Sequence, residues 1–184
     1  MDYNFVKNLL SDRKNIVITT HKTPDGDALG SSLALLHALE KDHNVTVIVP
    51  NEYPHYLKWL PGNDKVIVYD QNKHQSDEII GQANVLFFLD FNKLYRTEEM
   101  VDVLHNSDAC KIMIDHHQDP DNFCNQILSD SSIASTAELM YDFFTNLNLI
   151  LTTDIATCLY TGIITDTGSL KYSSVTKKTH EIVS

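Results

Sequence analysis

Carboxylate and imidazole side chains follow apolar runs at four places along this sequence. The groups are His21 with Asp25 and Asp27, then Asp90, then Asp115 with His116 and His117, and finally Asp166. Ligands of open parallel sheets bind just outside the carboxyl ends of the strands, so side chains placed in this way can converge on one rim. Five carboxylates in one cleft would repel each other and raise their own pKa values, and two divalent metal ions would remove that repulsion.

The types of these side chains indicate which metals and which chemistry to expect. Carboxylate and imidazole ligands together suit Mn²⁺, Fe²⁺, Co²⁺ or Zn²⁺, and suit Mg²⁺ less well. No cysteine is among the candidate ligands, which argues against a structural zinc site. Two metal ions about 3.5–4 Å apart on such a frame support hydrolytic phosphoryl transfer.

Each motif taken alone also has an ordinary structural interpretation. Residues 21–27 contain a Pro-Asp-Gly turn with a capping aspartate, and residues 115–117 fit an Asx turn beside a histidine. Asp90 fits a strand-end residue and Asp166 a helix-end turn. All four motifs, in this order and each at the end of an element, favour the metal site over coincidence.

The elements that must position these groups alternate between strands and helices. Strands are predicted at 15–20, 45–49, 66–69, 85–89, 111–114 and 125–128, with the very apolar run 85–89 at the centre. Helices are predicted at 27–40, 97–105, 135–147, 153–164 and from 176 onward, with short helices or turns at 53–60 and 76–80. Asp27 and Thr176 are the expected N-caps of two of them. This alternation predicts an α/β fold with a mainly parallel central sheet and helices on both faces.

Composition limits the classes of function. The chain has 184 residues, of which 42% are hydrophobic and 21% charged, and 14 basic against 25 acidic side chains give a net charge of −11. The acidic surface argues against binding of duplex DNA or of an anionic membrane. Three widely spaced cysteines, with no apolar leader and no run long enough to span a bilayer, predict a soluble cytoplasmic protein with reduced thiols.

The four motifs in combination resemble the DHH phosphoesterase superfamily, from residue 15 to about residue 178. That superfamily includes RecJ-type exonucleases, family II inorganic pyrophosphatases and the oligoribonuclease/phosphoadenosine-phosphate phosphatases. The resemblance implies one DHH catalytic domain over residues 1–184 with a Rossmann-like, three-layer fold. It also implies a second, substrate-binding domain of the DHHA1 type, which we expect to lie outside this chain. The motifs are His21-x-x-x-Asp25-x-Asp27, Asp90, Asp115-His116-His117 and Thr165-Asp166-Thr167-Gly168, with Ser135-Thr136-Ala137-Glu138 as a helix start after the third.

The same resemblance assigns a role to each predicted metal ligand. One metal ion would be held by His21 and Asp25, and the other by Asp27 and His116. Asp90 would bridge the two ions, and Asp166 would complete one of the coordination spheres. Mn²⁺ is the expected metal, with Mg²⁺ and Co²⁺ as alternatives.

Further residues would act on the substrate. His117 would donate a hydrogen bond to the phosphate or protonate the leaving oxygen, and Asp115 would orient an imidazole, so that both join Asp90 in the catalytic group. The candidate substrate contacts are Lys93, Arg96 and Ser169.

The segment 24–30 is similar to the oligoribonuclease/phosphatase subgroup of the superfamily. Pyrophosphatases tend to have a second histidine directly after the bridging aspartate, and this chain has Phe91 there. The expected function is hydrolysis of phosphodiester or phosphomonoester bonds through a water activated between two metals. Substrates would be very short single-stranded RNA or DNA (nano-RNA), cleaved from either end, or 3′-phosphoadenosine 5′-phosphate.

Two alternatives and the assembly stay open. An inorganic pyrophosphatase or exopolyphosphatase would use the same pair of metals. A non-catalytic nucleotide-binding module would bind nucleotides without hydrolysing them. No Gly-x-Gly-x-x-Gly follows the first predicted strand, which disfavours a dinucleotide-binding protein. A homodimer is compatible with the sequence.

Overall fold

Six strands form one sheet in the computed structural model, which describes residues 1–184. The strand order is β3-β2-β1-β4-β5-β6, and all five neighbouring pairs are parallel. The predicted α/β class with a parallel sheet is confirmed. The strands are β1 Asn15–Thr19, β2 Asn44–Val49, β3 Ile67–Val68, β4 Val85–Leu89, β5 Cys110–Asp115 and β6 Gln126–Ser129.

Seven α-helices cover both faces of this sheet. A core of 29 buried residues lies between one face and the helices α1, α2, α5 and α6, and a core of 11 lies between the other face and α3 and α4. Short 3-10 segments occupy His55–Leu57, Asn63–Lys65, Tyr69–Gln71 and Leu94–Met100. The helices are α1 Tyr3–Leu9, α2 Gly26–Leu39, α3 Lys73–Gly81, α4 Val101–His105, α5 Thr136–Leu147, α6 Thr153–Asp166 and α7 Lys177–Val183.

The central position of β4 follows from its composition. Its five residues are all fully buried, and alternate side chains enter the two cores: Val85, Phe87 and Leu89 on one side, Leu86 and Phe88 on the other. A strand that is covered on both faces must be apolar throughout, which is why the run reads as continuous rather than alternating. β4 lies between β1 and β5 in the interior of the sheet, so the predicted central position is confirmed.

The start of α2 differs from the sequence prediction. Asp27 was expected as the N-cap, but the cap is Asp25, whose Oδ1 accepts hydrogen bonds from the amides of Asp27 and Ala28 at 3.0 Å each. The helix therefore begins at Gly26, and the Asp27 side chain is free for other contacts. Thr176 does cap α7, through a reciprocal pair of hydrogen bonds with Thr179.

The predicted helix 97–105 is only partly helical. Residues 94–100 form a 3-10 segment that is broken at Glu98, where φ is 50° and ψ is −117°. The α-helix begins at Val101. None of the seven helices combines the length and hydropathy that a membrane crossing requires.

The strand order creates a crevice between β1 and β4. These two strands are neighbours in the sheet, although β2 and β3 separate them in the chain. The loops that leave their carboxyl ends therefore diverge, and ligands of doubly wound sheets bind at such a switch point. His21 follows β1 and Asp90 follows β4.

Candidate metal centre

The structure brings the predicted ligands together at this crevice. The candidate ligands form three groups of three residues. Within each group, one ligand atom from each residue lies within 4.8 Å of the others. Asp90, which directly follows β4, belongs to two of the groups, and so does His116. The three groups are His21 with Asp25 and Asp90; Asp27 with His116 and Asp166; and Asp90 with His116 and His117.

Asp90 lies between the two halves of the site. Its Oδ2 is 3.4 Å from His21 Nε2, and its Oδ1 is 3.6 Å from His116 Nε2. The residue is 2% exposed and has a φ of 65°, an unfavourable conformation for an aspartate that is typical of functional sites. Each carboxylate oxygen of Asp90 thus faces a different half of the ligand set.

Both flanking imidazoles are oriented by backbone carbonyls. His21 Nδ1 lies 2.7 Å from the carbonyl oxygen of Lys22, and His116 Nδ1 lies 3.3 Å from that of Ile133. A proton on Nδ1 satisfies these contacts and leaves the lone pair of Nε2 facing the carboxylates. This is the arrangement in which a histidine binds a metal ion.

The N-terminus of α5 holds the Asp27 carboxylate. Asp27 is buried, and its two oxygens accept hydrogen bonds from the amides of Thr136 at 2.6 Å and Ala137 at 2.9 Å. The Thr136 hydroxyl donates to Asp90 Oδ1 at 2.9 Å. Ser135 caps the helix by accepting from the Glu138 amide at 3.3 Å. The partial positive charge of the helix end stabilises the carboxylate there.

Three carboxylates of the site have raised pKa values. For Asp27, Asp90 and Asp166 burial is the largest cause, and repulsion from neighbouring carboxylates raises each pKa further. No lysine or arginine lies within ion-pair distance of any of the three, and histidines are the only basic side chains that do. Divalent cations would supply the positive charge that the protein does not provide, so the donor set fits the predicted metals.

Asp115 positions His117. Asp115 is fully buried, its Oδ1 is 2.7 Å from His117 Nδ1, and its Oδ2 accepts from the His117 amide at 3.1 Å. The hydrogen bond to Asp115 raises the pKa of His117, with burial acting in the opposite direction. The His117 side chain is 35% exposed, and its Nε2 makes no hydrogen bond within the protein.

The three predicted substrate contacts lie in different surroundings. Arg96 lines a cavity together with His21. Lys93 instead faces Asp121, with Nζ 3.9 Å from the carboxylate. Ser169 is exposed after the end of α6, and its side chain makes no hydrogen bond to the site. Of the three, only Arg96 is brought to the centre.

Sequence reasoning missed the hydrogen bond that Thr136 donates to Asp90 and the position of the exposed Tyr95, which lines the same cavity as Arg96. The helix start at Ser135 was the available signal for Thr136, because a capped helix directly after the third motif presents free amides. No sequence pattern indicated Tyr95, since a single aromatic residue in a polar segment is common.

Comparison with known proteins identifies the family. Residues 15–163 match the family model described as the DHH family, N-terminal domain. The chain belongs to the DHH family. The family resemblance carried by the four sequence motifs is therefore confirmed.

Two curated relatives of this DHH domain are named as oligoribonucleases and PAP phosphatases. It is 32% identical over 163 residues to the "Bifunctional oligoribonuclease and PAP phosphatase NrnA" of Thermus thermophilus, covering 88% of this chain and 46% of the relative. It is 31% identical over 170 residues to the "Probable bifunctional oligoribonuclease and PAP phosphatase NrnA" of Streptococcus mutans, covering 92% and 51%. The chain thus spans about half the length of the curated relatives that it matches.

A solved structure from Bacteroides fragilis supports the same fold. The crystal structure of an exopolyphosphatase-related protein superposes with a TM-score of 0.92 at 39% sequence identity. The match covers 98% of this chain and 54% of that protein.

Proposed function

We propose that this DHH domain is the catalytic part of a metal-dependent phosphoesterase that acts on very short oligonucleotides and on small nucleotides such as 3′-phosphoadenosine 5′-phosphate. The observation that carries the proposal is the position of Asp90, one oxygen of which faces His21 and the other His116. The names of the two NrnA relatives support the substrate class.

The centre would hold two divalent metal ions. His21 and Asp25 would bind one ion, Asp27, His116 and Asp166 would bind the other, and Asp90 would bridge them. When bound, the metals neutralise charge on the phosphoryl group and activate water for attack on it. The mixture of imidazole and carboxylate donors supports Mn²⁺, with Mg²⁺ and Co²⁺ as alternatives.

The protein's own groups would then orient the substrate and move a proton. His117 would use Nε2–H to donate a hydrogen bond to the phosphate or a proton to the leaving oxygen. Its raised pKa suits this role, because a larger fraction of the imidazole carries the required proton at neutral pH. Asp115 would act as a positioning residue that fixes the ring of His117. Arg96 would contact a phosphate oxygen.

A polyphosphatase or pyrophosphatase is the second candidate. It is favoured by the name of the Bacteroides fragilis neighbour. Against it stands Phe91, at the position where pyrophosphatases are expected to have a histidine. Phe91 is fully buried and packs edge-on against Phe88, with ring centroids 5.8 Å apart, so it adds no ligand.

Calorimetry with a matched variant tests the proposed function. Mn²⁺ is titrated into the metal-stripped chain and into Asp90→Asn, and both are assayed on diadenylate, 3′-phosphoadenosine 5′-phosphate and pyrophosphate. We expect two metal sites in the wild type, at least one fewer in Asp90→Asn, and a loss of turnover greater than about 100-fold with unchanged circular dichroism.

The other outcomes of this experiment are equally specific. Near-normal turnover by Asp90→Asn contradicts the two-metal site. Faster hydrolysis of pyrophosphate than of either nucleotide favours the second candidate. Tight nucleotide binding without turnover or metal dependence favours a non-catalytic module.

Four further predictions belong to the same proposal. Exclusion of duplex DNA is supported by the net charge of −11. A cytoplasmic location is supported by the three cysteines, which form no disulfide bond. The homodimer and the single-domain assignment of residues 1–184 stay predictions, and sedimentation velocity measures the former.

A further inference from the structure

A cavity of about 450 Å³ opens beside the candidate metal centre. His21 belongs to both, so a ligand whose phosphate lies at the centre can extend directly into this space. The volume lies within the range of small-molecule sites. The cavity is lined by His21, Lys22, Thr23, Tyr95, Arg96 and Glu98.

Tyr95 presents an open aromatic ring to this cavity. The residue is 69% exposed, its hydroxyl makes no hydrogen bond, and no other ring of the protein stacks on it. Nucleobases stack on such rings without regard to base identity, because every base has a π-face. A phosphate or pyrophosphate has no surface that could use this contact.

The charges around the cavity favour a phosphorylated ligand. Lys22 and Glu98 form an ion pair at 2.6 Å and so neutralise each other. The Arg96 guanidinium has no acidic partner and no hydrogen bond. The cavity therefore carries one uncompensated positive charge in a chain whose net charge is −11. A guanidinium is the side chain best suited to binding a phosphate in two-point contact.

The cavity walls are held in place by bonds between separate segments. The Lys22 amide donates to the Arg96 carbonyl at 2.8 Å, which joins the loop after β1 to the 3-10 segment. The Thr23 amide donates to Asn51 Oδ1 at 2.6 Å. Thr23 and Glu98 both have positive φ values, 51° and 50°. Non-glycine residues keep such conformations only where the surroundings fix them, and these residues cluster at functional sites.

We propose that this cavity is the nucleoside subsite of the enzyme. The Tyr95 ring stacks on the base of the nucleotide whose phosphate lies at the metal centre, and the Arg96 guanidinium contacts that phosphate. This inference rests on the proposed phosphoesterase function and names the group that selects nucleotides over inorganic polyphosphate.

Fluorescence measures the stacking contact directly. The probe is 2-aminopurine riboside 5′-monophosphate in Mg²⁺, because its emission is quenched when the base stacks. We expect quenching by the wild type and by Tyr95→Phe, and its loss in Tyr95→Ala with affinity about 5- to 150-fold weaker. Tyr56→Ala is the matched control, since Tyr56 is 65% exposed but does not line the cavity. Unchanged quenching by Tyr95→Ala overturns the proposal.

Kinetics separate this inference from the proposed function. With diadenylate, Tyr95→Ala should raise KM with little change in kcat. With the matching dinucleotide that lacks the base expected to stack on Tyr95, the substitution should change neither constant. Equal losses on both substrates, or a normal KM on diadenylate, overturn the subsite while hydrolysis still supports the enzyme. A wild type that hydrolyses nothing but shows quenching dependent on Tyr95 supports the subsite and argues against turnover by this chain on its own.

Discussion

Thr136 connects the two halves of the candidate centre. Its amide donates to Asp27 and its hydroxyl donates to Asp90, so one residue at the start of α5 fixes two buried carboxylates. Hydrogen bonds to charged groups contribute about 1.5–3 kcal/mol, more than those between neutral groups. The orientation of Asp90, which would face both metal ions of the proposed centre, therefore depends on a side chain that would bind neither.

Replacing this hydroxyl should weaken metal binding without unfolding the protein. Thr136→Val keeps the shape and the amide contact with Asp27 but removes the bond to Asp90. We expect the affinity for Mn²⁺, measured by calorimetry, to fall about 10- to 100-fold, the usual cost of losing a group that orients a ligand. Thr136→Ser retains a hydroxyl and should bind nearly as the wild type does. Equal binding by Thr136→Val and the wild type would show that Asp90 is held by packing alone.

At the residue scale, the sequence predicted the candidate ligands and Asp115, which orients an imidazole, but not the other groups that hold the site. His21, Asp90 and Asp115 could be found because each ends or follows a recognisable apolar strand. Thr136 and Tyr95 could not, because their roles depend on which distant segments come into contact. That information lies in the strand order, which placed β4 beside β1 and which local patterns do not determine.

At the scale of elements, α2 and α6 hold the site through a close glycine contact. α2 carries Asp27 in its first turn and α6 carries Asp166 at its last residue. A Cβ atom built on Gly30 would lie 2.5 Å from the carbonyl oxygen of Cys158, a distance that no real contact allows. One built on Gly162 would lie 2.9 Å from an oxygen of Asp27. The spacing of the two helices is therefore set by residues without side chains.

Gly30→Ala should force α2 and α6 apart. We expect the free energy of unfolding, measured in urea, to fall by about 1–3 kcal/mol, as for other overpacked cores. Affinity for Mn²⁺ should fall with it, because Asp27 and Asp166 move apart. Gly81→Ala is the matched control: no atom lies within 4 Å of a Cβ there, so stability should be unchanged or rise by up to about 1 kcal/mol. Similar stabilities for the two variants would refute this account of the helix contact.

Helix prediction failed where tertiary contacts outweigh local pattern. α1 was missed because it is short and buries only Val6 fully, although Tyr3 and Leu9 pack against the same core at helical spacing and Asp2 caps the helix. The predicted helix 97–105 was wrong at its start because the carbonyl of Arg96 is bonded to Lys22 and the chain breaks at Glu98. The strands were predictable because each had to be apolar on the faces that the two helix layers cover.

At the scale of the whole molecule, the site costs stability when no metal is bound. Burial, and then repulsion between carboxylates, raises the pKa values of Asp27, Asp90 and Asp166. For a carboxyl group with a raised pKa, the folded state holds a proton that the unfolded state releases. The free energy of unfolding therefore falls as pH rises from about 4, the usual pKa of the unfolded chain, through the raised values.

Asp90→Asn should melt above the wild type without metal and below it when metal is added. Without metal at neutral pH the variant should melt about 2–4 °C above the wild type, which corresponds to about 1 kcal/mol in a chain of this size, since it removes one buried charge. Saturating Mn²⁺, at about 100 times Kd, should stabilise the wild type by about 2.7 kcal/mol and raise its Tm by about 5–10 °C. The variant should respond less and melt below the wild type. Lowering the pH should reduce its advantage in the metal-free state, because the raised pKa of Asp90 lets the buried carboxyl group take up a proton before an ordinary aspartate does. A variant that melts below the wild type under every condition would mean that Asp90 serves packing. Only a residue kept for its charge stabilises the protein when metal is bound and destabilises it when metal is absent.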